Sequence, residues 1–122
     1  MLLWSGTFSF TDDGVWLDGE PPAAATGGVH GDLREETPAP TAEISSGVSN
    51  LALWTGSGTP SGEQCRELAL AHGVSRVHAG VGAIICALTM QRHVAVVKIT
   101  AFPKDFSGVT ASATLWGGTG SS

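Results

Sequence analysis

The sequence predicts an α+β fold: a single domain built on a mainly antiparallel β-sheet, with one helix (about residues 61–72) packed on it. Three observations carry this expectation. Apolar residues recur at helical spacing between Pro60 and Gly73, and the period falls to two directly afterwards. Two aliphatic and β-branched runs, 83–89 and 94–102, are separated only by Met90-Gln91-Arg92-His93. A connection that short excludes a parallel crossover and makes the pair an antiparallel hairpin. Residues 109–116 then alternate strictly, with Val109, Ala111, Ala113 and Leu115 on one side and Thr110, Ser112 and Thr114 on the other.

In chain order, residues 3–10 also alternate, placing Trp4, Gly6, Phe8 and Phe10 opposite Ser5, Thr7 and Ser9, the pattern of a half-buried strand. Thr11-Asp12-Asp13-Gly14 is a turn, and Val15-Trp16-Leu17 reads as a short strand closing a hairpin on the first. Residues 20–31, with Pro21-Pro22, three alanines and Gly27-Gly28, read as a flexible loop. Residues 32–36 suggest another short strand, stopped by Thr37-Pro38-Ala39-Pro40. A Ser-Gly-Val-Ser turn leads into Leu51-Ala52-Leu53-Trp54, again strand-like, and Gly56-Ser57-Gly58-Thr59 links it to the helix.

Ser61 and Gln64 match the S-x-x-Q capping box, in which each side chain satisfies an orphan backbone donor at the helix start. Cys65, Leu68, Ala69 and His72 form the apolar stripe; Glu63, Arg66 and Glu67 fall off it. Gly73 is the expected left-handed stop, and a cation at His72 suits the C-terminal end of the helix dipole. Residues 74–79 alternate as a short strand, and Gly80-Val81-Gly82 turns the chain. Val94 to Val97 is apolar on both faces, so that strand should be central and covered on both sides. Phe102-Pro103-Lys104-Asp105-Phe106-Ser107-Gly108 breaks the pattern before the last strand. The organisation is therefore a β-hairpin plus acidic loops over 1–59, a helix and β-meander over 60–116, and a flexible tail at 117–122. Cys65 shares its stripe with Leu68, and Cys86 lies between Ile84 and Leu88 on one strand face, so both point into the helix–sheet junction. A disulfide satisfies that geometry, and so do two buried thiols in a reducing compartment.

The composition of the 122-residue chain, 42% hydrophobic and 14% charged, is that of a folded domain able to bury a core. No apolar run approaches the length of a transmembrane helix. Met1-Leu2-Leu3-Trp4 has neither the basic start nor the long apolar core of a signal peptide. The net charge of −5 is unevenly spread. Asp12, Asp13, Asp18, Glu20, Asp32, Glu35, Glu36 and Glu43 face a single base, Arg34, in the first half, while Arg66, Arg76, Arg92, Lys98 and Lys104 are scattered through the second. With no basic cluster and no tyrosine, nucleic acid is not an expected partner.

No catalytic constellation assembles from the sequence. Cys86 sits among Ile84, Ile85, Ala87 and Leu88, the opposite of the electropositive setting a reactive thiolate needs. No G-x-S-x-G elbow is present. The histidines lack zinc spacing. Asp12, Asp13 and Asp18 offer hard oxygens for Ca²⁺, but they miss the EF-hand pattern, and an ordinary Asp-Asp-Gly hairpin turn is the leading reading of this stretch. Long polar loops on a rigid scaffold commonly carry recognition, which points to Glu20, His30, Asp32, Arg34 and Glu35 as partner-contacting residues. Trp54 joins them as a potential aromatic anchor among the four tryptophans.

The order Val15-Trp16-Leu17-Asp18, Gly31-Asp32-Leu33, Pro60 and Cys65 on a helix, Gly82-x3-Cys86-x2-Thr89, Val94-Ala95 and a final Leu115-Trp116 resembles a known pattern. It is similar to small two-cysteine β-rich modules at the extracytoplasmic ends of actinobacterial serine/threonine kinases and in related secreted or lipid-anchored proteins. The resemblance spans most of residues 6–116 and departs from the pattern at Arg92-His93, where such modules carry Gly-Arg. It implies a sensor or binding module with Cys65 and Cys86 paired outside the cell, no cofactor, and no catalytic residues to carry over. The leading expectation is thus a non-catalytic module recognising a protein or a small extracellular ligand. A structural or assembly protein of a virion or other particle, cytoplasmic or particle-associated and able to self-associate, is the second. A small hydrolase or metal-binding enzyme is the third.

Overall fold

The computed structural model describes residues 2–10, 15–17, 23–24, 34–37, 43–45, 50–89, 93–101 and 108–117. In chain order they form β1 (Leu2–Phe10), β2 (Val15–Trp16), β3 (Ala23–Ala24), β4 (Arg34–Thr37), β5 (Glu43–Ser45) and β6 (Leu51–Leu53). The helix α1 (Gly62–His72) follows, then β7 (Arg76–His78), β8 (Ile84–Leu88), β9 (Val94–Ala101) and β10 (Val109–Trp116). Five of the strands make one antiparallel sheet in the order β1-β10-β9-β8-β6, and α1 lies over β8, β9 and β6. This is the mainly antiparallel α+β architecture that the sequence predicts.

The hairpin β8–β9 pairs Ile84 with Lys98 and Leu88 with Val94. Its mouth is closed by the Thr89 amide donating to the His93 carbonyl at 2.9 Å and the His93 amide donating to Thr89 Oγ1 at 3.1 Å. Val94 to Val97 are all buried, as expected of a strand covered on both faces. In β10 the odd residues Val109, Ala111, Ala113 and Leu115 are buried and the even ones half-buried, reproducing the alternation read from the sequence.

The pairing of the first strand differs from the expectation. Val15-Trp16 does not close a hairpin on β1: β2 pairs with β3, inside the segment read as a loop, and β1 pairs with β10. Nine residues alternating Trp4, Gly6, Phe8, Phe10 against hydroxyls need an equally long partner with the same alternation, and two-residue β2 is not one. In the observed register Phe8 faces Ala111, Gly6 faces Ala113 and Phe10 faces Val109, so both strands turn the same apolar set into the core and each phenylalanine has a smaller residue beside it. Glu43–Ser45 is a further strand that the sequence pattern did not suggest. It sits between β4 and β7 in a three-stranded antiparallel sheet. There Glu43 lies 3.9 Å from Arg76 and 3.5 Å from His78 across the β5–β7 ladder.

The main sheet separates two apolar clusters. On the face away from the helix, Phe8 and Phe10 of β1, Ile85 and Ala87 of β8, Ala95, Val97 and Ile99 of β9 and the odd residues of β10 pack against Val15, Leu17, Ile44 and Val77 from the smaller elements. A fully buried Val, Leu or Ile contributes roughly 1.5–3 kcal/mol, so this larger cluster dominates the stability of the fold. On the helix side the cluster is smaller: Cys65, Cys86, Val94 and Val96, flanked by Trp54, Leu68, Ile84, Leu88 and Trp116.

The helix has the expected cap. The Ser61 side chain accepts from the Gln64 amide at 3.1 Å, and Gln64 Oε1 accepts from the Ser61 amide at 2.8 Å. Its stripe is narrower than expected: Cys65 and Ala69 are buried, Leu68 is half-buried and His72 is exposed. Gly73 is not a left-handed stop, because its φ of −62° and ψ of 139° are extended. The chain needs no reversal there, since it runs straight into a bridge in which Leu51 and Val74 exchange backbone hydrogen bonds of 2.9 and 2.7 Å. The reversal comes later, at Gly82, whose φ of +89° strongly favours glycine at this turn position.

Candidate functional site

Because α1 covers β6, β8 and part of β9, the same face of β1 and β10 carries no helix among the described residues. The side chains that stand there are the ones the alternation turns away from the larger core. Ser5, Thr7 and Ser9 come from β1, Thr110, Ser112 and Thr114 from β10, and Lys98 and Thr100 from β9. Strand register arranges them in rows across the sheet. One row runs Thr7, Ser112, Lys98, Ile84, and the next Ser5, Thr114, Val96, Cys86. Cross-strand neighbours in such rows sit about 4.5–5.5 Å apart at Cβ, close enough to contact one ligand together.

At the boundary between the uncovered and covered halves lies an open groove of about 260 Å³. It is lined by Ser5, Thr7, Ser112 and Thr114 on one side, and by Lys98, Ile84, Val96 and Thr59 toward the helix. At the far end of the face the hydroxyls bond to their own sheet: Ser9 and Thr110 are 3.4 Å apart, and Thr100 Oγ1 donates to the Thr110 carbonyl at 3.0 Å. In the groove the Lys98 ammonium has no ion-pair partner among the described residues. The groove thus combines hydroxyls that both donate and accept, one compact positive charge and a short apolar strip.

Cys65 and Cys86 meet where the sequence placed them, with Cα atoms 5.0 Å apart and both side chains fully buried, at disulfide-bonding distance. Trp54 is half-buried in the same helix-side cluster, and its Nε1 donates to the Gly58 carbonyl at 3.0 Å. Of the other partner-contact candidates, Arg34 and Glu35 lie on β4, whose sheet packs beneath the opposite face through Ile44 and Val77. The structure therefore does not bring Trp54 together with β4. Glu20, His30 and Asp32, and the Ca²⁺ candidates Asp12, Asp13 and Asp18, lie outside the described residues. Among the described residues no group of three or more His, Cys, Asp or Glu side chains is placed to hold a metal ion, and no helix is long and apolar enough to cross a membrane.

The groove residues were not singled out from the sequence. Their signal is present in Ser5-x-Thr7-x-Ser9 and Thr110-x-Ser112-x-Thr114, an alternation that by itself marks only the wet side of two strands. Comparison with protein-family models, with curated proteins and with solved structures finds no match.

Proposed function

We propose that the protein is a non-catalytic recognition module and that it binds a small, polyhydroxylated, negatively charged ligand, such as an acidic sugar, on the uncovered half of its main sheet. The observation that carries this reading is the row Thr7, Ser112, Lys98, with Ile84 at its end, lying open beside the helix. A sugar ring presents hydroxyls at its rim and C–H groups on its face, matching the Ser/Thr row and the Ile84–Val96 strip. A carboxylate on it would meet Lys98. The groove volume of about 260 Å³ is below the usual range for drug-sized ligands and suits a single ring.

An extracytoplasmic setting belongs to the same proposal. It is supported by the resemblance to two-cysteine modules of actinobacterial kinases and by a buried cysteine pair at bonding distance, an arrangement used mainly in oxidising compartments. A role in assembly is the second reading, favoured by the outer edge of β1, with which no strand pairs among the described residues.

Titration of the isotope-labelled protein with glucuronate and with glucose, followed by amide and side-chain NMR, tests the site. Shifts should concentrate at Thr7, Lys98, Ser112 and Thr114, be larger for the acid, and vanish in Lys98→Glu. Scattered shifts, or full retention of glucuronate binding in Lys98→Glu, would remove the proposal.

A further inference from the structure

The edges of the two larger sheets are protected unequally. In the three-stranded sheet, β4 carries Arg34, Glu35 and Glu36 within four residues, and β7 carries Arg76 and His78. In the main sheet, β6 is only three residues long and Val74 bridges to it. The opposite edge is β1, nine residues reading Leu-Leu-Trp-Ser-Gly-Thr-Phe-Ser-Phe, with no charge and no proline. Among the described residues no strand pairs with its outer side. Natural sheets blunt a free edge with charge, proline, shortness or a cover, because a row of unpaired backbone donors and acceptors is a template for another strand. At β1 the bulge between Leu2 and Trp4 interrupts only the first residues.

We propose that β1 is a homodimerisation edge, at which two copies pair antiparallel about a twofold axis near Gly6 to give a continuous ten-stranded sheet. The choice of a second copy as the occupant follows from the strand's own pattern. A twofold contact brings the same strand back in reverse, and this one is self-complementary in that sense. With Gly6 facing Gly6, Trp4 faces Phe8 of the second copy on the core side, and Ser5 faces its Thr7 on the hydroxyl side. Within one protomer Trp4 and Phe8 already contact edge to face, ring centroids 6.4 Å apart, and Trp4 is only half-buried. The dimer would cover it further while opposing no charge to a like charge. It would also join the two hydroxyl-lined half-faces into one surface across the axis.

Light scattering coupled to size exclusion should give a dimer for the native chain at high micromolar concentration. Ser5→Lys/Thr7→Lys puts like charges directly opposite at both symmetry-related positions, as does Ser5→Glu/Thr7→Glu. Each variant alone should run as a monomer with an unchanged circular dichroism spectrum, and an equimolar mixture of the two should restore a dimer containing one of each. A monomeric native chain, like-charged variants that stay dimeric, or a mixture that stays monomeric with both variants folded, each overturns the proposal. Should the doubly substituted chains fail to fold, Thr7→Lys and Ser5→Glu taken singly and then mixed should pair with each other in preference to themselves, because positions 5 and 7 face each other only in this register; a statistical mixture of the two would overturn the proposal.

Discussion

Trp4, within β1, and Trp54, just past the end of β6, solve the same local problem. Each folds its indole back over the glycine two residues on. A β-carbon at Gly6 would lie 2.8 Å from the Trp4 ring, and one at Gly56 would lie 2.6 Å from the Trp54 ring. The ring thus replaces the side chain that the glycine lacks and shields the backbone beneath it. At Trp54 the arrangement is locked by the indole N–H on the Gly58 carbonyl, which holds the link between β6 and the helix against the cysteine cluster. Gly56→Ala has no room unless the ring moves. The expected outcome is a loss of stability of at most about 1 kcal/mol, the low end for overpacking because Gly56 is exposed, with a changed near-ultraviolet circular dichroism signal from the displaced indole. An unchanged signal and melting temperature would show that the ring is not held there.

At the scale of elements, α1 is short and leans on its cap and on three buried residues, Gly62, Cys65 and Ala69. An isolated helix of eleven residues is marginal in water, so the capping box matters. Ser61→Ala should lower stability by about 1 kcal/mol, seen as a lower denaturation midpoint with an unchanged slope. Gln64→Ala should do less, because it leaves the Ser61 acceptor in place. Cap, helix, the β8–β9 hairpin and β10 were all legible in the sequence, since each is written in residues within a few positions of one another. What was not legible depends on distance along the chain. Nothing near Phe8 says that its neighbour is Ala111, and Val15-Trp16 next door looked like a partner simply because it was close. Glu43-Ile44-Ser45 contains one apolar residue, too little for a period, although Ile44 is fully buried. The groove was hidden for a third reason. Hydroxyls on β1 and β10 become a site only once the helix is known to stop short of them.

At the scale of the whole molecule, Cys65 and Cys86 are the one covalent tie available between the helix and the sheet. The bridge spans 21 positions, and closing a loop of that size in the unfolded chain is worth about 3 kcal/mol in the entropy model. Cys65→Ala/Cys86→Ala should therefore lower the melting temperature by on the order of 10 °C, and reductant should do much the same to the native chain. Mass spectrometry of natively expressed, unreduced protein should find the chain lighter by a pair of hydrogens; two free thiols would remove the bridge and the extracytoplasmic setting with it. The pairing of β1 with β10 has a mechanical side as well. Leu2 lies opposite Trp116 and Phe10 opposite Val109, so the outer ends of both strands leave the ladder at the same point. Tension applied there would load one rung at a time and peel the edge open like a zip, at far lower force than sliding the strands past each other. Unravelling from the Trp116 side would consume β10, then β9, and with Cys86 bonded to Cys65 it would come to rest there, the bridge taking the strain.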